Sequence, residues 1–333
     1  VAIAKPAANK EGILCTHIRG EGDSLIDSVQ EVIDIAARAE IRLNISHLKA
    51  TGIANWRDLI FRAIDRIEAA RALGQEVAAD FYPYTGGSTT LQSLLPPTVF
   101  EEDMSAMLKK MGTRQGTQML REELNKPHAG WDNMAASIGW DRIIISNTSL
   151  PEHASYQGKN LAALADSLRY DDPADLVADL LYTENGRVGI IVLSMSQADV
   201  DDIARLPYTA LISDSLYSAT ANPHPRLNGA FPHFLRDYVL DRGVLSYEQA
   251  IHKMTGLPAS RIGLADRGRI AAGAKADVLV YDPQKFIGRS DYIHAQQRAE
   301  GMDLVLINGI PVWQSGETTA ERAGRVLPGC TNL

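Results

Sequence analysis

A parallel α/β architecture, in its commonest large form a TIM-type (β/α) barrel, is what this sequence predicts. Three observations carry that expectation. A short apolar strand followed by a loop and an amphipathic helix occurs twice between residues 12 and 90, and the same rhythm returns between 187 and 215. From Asp266 onward it gives way to short strands and turns. With 333 residues, 45% of them apolar, the chain can bury a large core and more than one structural unit.

The elements follow in order. The opening stretch VAIAKPAANKEG reads as a helix leading straight into the strand ILCTHIR at 13–19. Gly20 to Gly22 and a cap at Asp23 or Ser24 introduce a helix that ends near Glu40. Its residues Leu25, Ile26, Val29, Ile33 and Ala36 recur at three-to-four spacing and make one buried stripe. IRLNISHL (41–48) is a second strand, and Asn55 is placed to cap a helix from about Trp56 to Leu73. QEVAADFYPY, after Gly74, is a third strand. Residues 91–186 break the rhythm with helix-like segments carrying Met104, Met107, Leu108, Met111, Leu161, Leu164 and Leu168, and one short strand at 142–146. They read as an inserted, mainly helical cap. Barrel units resume with RVGIIVLS (187–194), a helix near 197–206 and TALISDS (209–215). The tail, with GRIAAGAKADVLVYDP and DLVLINGIPVWQSGE, is an all-β pattern. The expected divisions are 1–90, 91–186, 187–265 and 266–333. Five barrel strands are too few for eight. The expectation is a barrel lacking its N-terminal strands, completed by a missing N-terminal segment of a longer natural protein or by a second chain.

Bulk properties exclude several classes. Lys and Arg total 33 against 41 acidic residues, a net charge of -8, so the basic stripe that nucleic-acid binding requires is absent. Lys109, Lys110 and Arg114 read as a solvated helix face. No run of eighteen apolar residues suggests a membrane span. The two cysteines, Cys15 and Cys330, have no paired spacing, which makes a reducing, cytoplasmic location the default. Aromatic residues are 6% of the chain and form no stripe of the kind a carbohydrate- or peptide-binding module presents.

Three polar side chains stand at the carboxy ends of predicted strands: His17, His47 and Asp214. In a parallel barrel that edge faces the active site. Two histidines from neighbouring strands with a carboxylate from a later one suit Zn²⁺, which accepts imidazole and carboxylate ligands. A bound zinc makes water nucleophilic near neutral pH, and a nearby carboxylate can carry protons. Hydrogen-bonded structural histidines are the blander alternative, and the pattern alone leaves both open. Cys15 reads as a small inward-facing hydrophobe. His128, His153, His233, His252 and His294 read as structural or surface residues, and the role of His224 is open.

The segments THIRGEGDSL (16–25), NISHLKATGIANW (44–56), DFYPYTGGSTTL (80–91), ISDS with HPRLNGAFP (212–232) and KMTGLPASRIGLADRGRIAAGAKADVLVYDP (253–283) resemble the N-acyl-D-amino-acid deacylase (D-aminoacylase) branch of the amidohydrolases. The resemblance runs through nearly the whole chain in order and is weakest across 97–186. It implies a (β/α) barrel with a small C-terminal β-sandwich portion, and zinc-dependent hydrolysis of the amide of an N-acyl-D-amino acid, a small-molecule substrate. On the family pattern His17 and His47 would be zinc ligands and Asp214 the general base. Arg226 would grip the substrate α-carboxylate, and Lys49, Tyr82 and Ser88 fall where the family places further substrate contacts. Arg19 and Glu21 belong to the first motif without a defined role. The chain departs from the family in having no His-x-His pair and no cysteine where the family places a bridging ligand. A cyclic-amide hydrolase of the dihydroorotase or hydantoinase kind, and an inactive fragment lacking part of the metal site, are the alternatives.

Overall fold

The structure, a computed structural model, describes residues 1–97, 99, 103–126, 131–216 and 222–327. His128 and Cys330 lie outside the described residues. A short helix α1 (Lys5–Ala8) precedes strand β1 (Ile13–Thr16), helix α2 (Leu25–Ala39), strand β2 (Arg42–Ile45), helix α3 (Leu59–Ala72) and strand β3 (Val77–Phe81). Four of the five residues in the expected stripe of α2 are buried: Leu25 and Val29 are fully inaccessible and Ile33 and Ala36 nearly so, joined by Val32, whereas Ile26 is only half-buried. Each such burial of a Val, Leu or Ile side chain contributes about 1.5–3 kcal/mol. Glu40 ends the helix in a left-handed conformation, φ 55°. The expected cap of α3 is corrected: the capping position falls to Asp58. Asn55 instead lies in a preceding 3₁₀ turn, donating its amide to Asp23 and to the Thr51 carbonyl.

A second layer follows. Strand β4 (Gly87–Thr90), helices α4 (Met104–Met111), α5 (Arg114–Leu124) and α6 (Met134–Ile138), strand β5 (Ile143–Asn147), helices α7 (Leu161–Leu168) and α8 (Pro173–Thr183), and strand β6 (Gly189–Val192) come in turn. Strands β4, β6 and β5 pair antiparallel in a three-stranded sheet. The segment 187–194, expected as a barrel strand, therefore belongs to the insertion. An apolar run buried on both faces has no period to show which sheet it joins. The insertion has its own core, including Leu91, Met107, Leu120, Leu161, Leu180 and Ile190.

After helix α9 (Gln197–Arg205), strand β7 (Thr209–Leu211) returns to the first layer. The parallel sheet then has the order β1-β2-β3-β7, four strands rather than five among the described residues. All five residues of β3 are buried at its centre, whereas β1 is an edge strand. Helix α10 (Arg226–His233) contains Pro232 and widens into a π-helical turn over Phe234–Asp241. That widening suits a residue with no N–H to donate to the ladder. Helices α11 (Tyr247–Met254) and α12 (Gly256–Arg261) lead to strands β8 (Val278–Tyr281), β9 (Met302–Ile307), β10 (Ile310–Gln314) and β11 (Glu317–Thr318). These four form one antiparallel meander. The second sheet that a sandwich requires is not seen among the described residues. No described helix is long and apolar enough to cross a membrane.

Candidate metal and substrate site

The carboxy-terminal ends of the parallel strands carry the polar residues. His17 follows the last residue of β1, His47 lies two residues past β2, Asp80 is within β3, and Asp214 lies three residues past β7. The sheet order brings the first three onto adjacent strands. His17 Nδ1 and His47 Nε2 approach to 2.8 Å, with the rings edge to face at 4.7 Å between centroids. His17 is exposed beside the sheet edge, whereas His47 is half-buried. Partial desolvation by the groups around its ring lowers the affinity of His17 for a proton more than the Glu21 carboxylate raises it, which favours the neutral imidazole that ligates metal.

The His47 backbone is held in the left-handed region, φ 41°, which is unfavourable for a residue with a Cβ. Asp80 accounts for its persistence. One carboxylate oxygen accepts the His47 N–H at 2.6 Å and the other accepts the Asn44 amide at 2.6 Å. Asp80 is almost fully buried, and that desolvation pushes its carboxyl above the usual range. Asp214 shares the left-handed geometry, φ 49°. Backbone strain at two strand ends that both face one site is the kind of feature functional sites retain.

Glu21, on the loop after β1, completes a cluster with His17 and His47 whose potential ligand atoms lie within 4.8 Å of one another. Its Oε1 is 2.6 Å from Lys49 Nζ, 3.1 Å from His47 Nδ1 and 3.9 Å from His17 Nδ1. Burial opposes its ionisation, but Lys49 and His47 overcome that and hold the carboxyl down at about 2. Cys15 does not join the group. It is exposed on the edge strand, not inward-facing as expected, because no described strand covers that side of β1. The two imidazoles fit a zinc ion. Nitrogens at about 2.0–2.1 Å from a tetrahedral zinc stand roughly 3.3 Å apart, an opening of about 0.5 Å from the observed pair.

A second polar group adjoins. Arg226, at the start of α10, is buried and pairs through Nη1 with Asp214 Oδ2 at 2.7 Å. Its guanidinium lies 4.4 Å from the centre of the buried Tyr82 ring, and Lys49 Nζ lies 5.8 Å from the same ring. The Arg226 Nε is buried with no hydrogen-bond partner. His224 holds this arrangement. Its Nδ1 accepts the Arg226 N–H at 3.1 Å, so its Nε2 is the donor to the Gly86 carbonyl at 2.8 Å. Burial and the Arg226 charge hold it neutral, at about 3. Ser88, on β4, lines a cavity of about 210 Å³ together with Arg226, His224, Thr89, Ser146 and Asn147.

Residues 196–313 match the amidohydrolase family. Over 329 residues, 98% of this chain, the sequence is 32% identical to the D-aminoacylase of Alcaligenes xylosoxydans xylosoxydans, covering 57% of that protein. The chain is homologous to the D-aminoacylases. A D-aminoacylase structure concerned with its binuclear metal centre matches with a TM-score of 0.74 and 30% identity, over 97% of this chain and 57% of that one. N-acyl-D-glutamate deacylase from Bordetella bronchiseptica, complexed with zinc and a phosphonate mimic of the tetrahedral intermediate, matches with a TM-score of 0.73 and 28% identity, over 95% and 56% of the two chains. This D-aminoacylase homologue thus spans a little over half the length of these relatives.

Other site residues were not legible as such. Asp80 had one available signal, an acid inside the otherwise apolar run VAADF. Asp132, which contacts the Glu21 loop from the insertion, had none. Of the remaining histidines, His153 pairs with the fully buried Glu184 at 2.7 Å, His233 stacks on Tyr84, and His294 pairs with Asp291.

Proposed function

We propose that this chain forms part of a zinc-dependent amidohydrolase that cleaves the amide of N-acyl-D-amino acids to a carboxylate and a free D-amino acid. The observation that carries the reading is the convergence of His17 Nδ1 and His47 Nε2 at 2.8 Å. The Arg226–Asp214 pair is near enough for the Asp214 charge to act on His17. Likeness to a zinc-bound N-acyl-D-glutamate deacylase supports the choice of metal and bond.

His17 and His47 are the residues that hold the metal. The chemistry it supplies is Lewis acidity, which polarises a carbonyl and makes water nucleophilic near neutral pH. Arg226 receives the substrate α-carboxylate, for which a guanidinium fork provides two parallel charge-assisted bonds. Asp214 Oδ2 contacts one arm of that fork, Nη1, at 2.7 Å. An entering carboxylate takes over the guanidinium and leaves Asp214 free to act as base. Asp214 then accepts a proton from the attacking water and returns it to the nitrogen as the C–N bond breaks. Tyr82, whose ring adjoins Arg226, Lys49 over the same ring, and Ser88 in the neighbouring cavity contact the rest of the substrate.

Amine release from N-acetyl-D- and N-acetyl-L-amino acids by the zinc-loaded protein tests this. Release from the D-series alone supports the reading. Equal release from both series, or none from either by folded, zinc-loaded protein, contradicts it.

A further inference from the structure

Glu21 has no part in the reaction above, yet no carboxylate at the site has closer charged partners. Its position relative to His47 decides what it can do. His17 meets His47 at Nε2, whereas Glu21 Oε1 lies 3.1 Å from the opposite nitrogen, Nδ1. The carboxylate therefore faces His47 at Nδ1, while the same oxygen lies 3.9 Å from His17 Nδ1. A carboxylate accepting Nδ1–H fixes the tautomer whose Nε2 lone pair is free, the usual arrangement behind a ligating histidine. Lys49 makes that support necessary. Its Nζ is 2.7 Å from the same Nδ1, and an ammonium donating there would force the proton onto Nε2. Glu21 Oε1, 2.6 Å from Nζ, gives the ammonium another acceptor.

The loop that presents Glu21 is held from outside the barrel layer. Asp132 is 111 residues distant in sequence and sits between α5 and α6 of the insertion. Its Oδ2 accepts the N–H of Glu21 at 3.1 Å and of Gly22 at 2.9 Å, with Ser24 Oγ at 3.5 Å. The fit requires glycine. A Cβ on Gly22 would lie 2.8 Å from Asp132 Cγ. On the other side of the loop, the Thr51 N–H donates to the Glu21 carbonyl at 2.8 Å.

We propose that Asp132 and Glu21 form a positioning relay through which the inserted helical segment sets the orientation of His47 and Lys49. The inference rests on His17 and His47 being metal ligands. Glu21 acts in this relay through its contacts with His47 and Lys49, and Asp132 through the Glu21 loop. The insertion is thereby a working part of the metal site.

Cobalt(II) titration followed by its visible absorption tests the relay in the wild type and in Asp132→Ala, Asp132→Asn, Glu21→Ala, Asp132→Ala/Glu21→Ala and His47→Ala. Circular dichroism confirms that each variant is folded. Removing either relay residue weakens cobalt binding by about 10–100-fold. Asp132→Asn keeps an acceptor for the loop amides and stays within about threefold of wild type. The double variant is no weaker than Glu21→Ala alone, because the two residues act in series. A merely structural Asp132 would instead add its loss to that of Glu21. Additive losses, or wild-type affinity in Asp132→Ala, overturn the relay while His47→Ala still abolishes binding. Retention of binding in His47→Ala, or no binding by the wild type, removes the metal reading and the relay with it.

Discussion

Replacing Asp80 by alanine probes how the fold supports His47. The carboxylate is 9% exposed and accepts two hydrogen bonds of 2.6 Å, from the His47 N–H and the Asn44 amide. Alanine leaves both donors without an acceptor, and each buried unsatisfied donor costs about 1–3 kcal/mol. His47 and Asn44 are half-buried, so water reaches them in part and the lower half of that range applies. The left-handed His47 backbone also loses its restraint, and its intrinsic cost is about 1–2 kcal/mol. Removing a carboxylate whose burial opposes ionisation returns some of the loss. The sum is a destabilisation of about 2–4 kcal/mol. Urea unfolding of the metal-free protein, followed by circular dichroism, measures it. Asp80→Asn retains one acceptor and loses less. An Asp80→Ala midpoint indistinguishable from wild type would refute the view that this carboxylate holds the strained turn.

Three further outcomes follow from the same geometry. Arg226→Met removes the fork that receives the α-carboxylate and lowers kcat/KM by about 10²–10³-fold in steady-state assays, with metal content unchanged. Asp214→Asn lowers kcat by about 10²–10⁴-fold and likewise leaves the metal in place, which elemental analysis checks. Lys253, buried with its ammonium directed at the Leu206 and Thr209 carbonyls, is held down to about 8 by desolvation, against 10.5 unfolded. Between those values the unfolded chain binds the extra proton, so this residue makes stability rise with pH across that window. Unfolding midpoints of Lys253→Met as a function of pH lack that rise.

The parts of the fold written in local pattern were legible in advance. The stripe on α2 needs only its own spacing, and His17 and His47 stand out because each polar ring closes an apolar strand before a loop. Long-range pairing left less trace. The run at 187–194 is as apolar as a barrel strand, yet β4 and β5 claim it for the insertion. Asn55 has the right chemistry for a cap, but Asp23 and the Thr51 carbonyl take its amide. Asp132 acts across 111 residues through a single oxygen, and no periodicity encodes such a contact. Cys15 misled because strand alternation tells which residues share a face, not whether that face is covered.

The most direct test of the account is metal content, by elemental analysis of the purified protein beside its His17→Ala/His47→Ala variant. Near-stoichiometric zinc in the wild type, lost in the folded double variant, is the predicted result. Equal metal in both proteins, or none in folded wild type after incubation with zinc, would contradict the central claim that these two strand ends build the metal site.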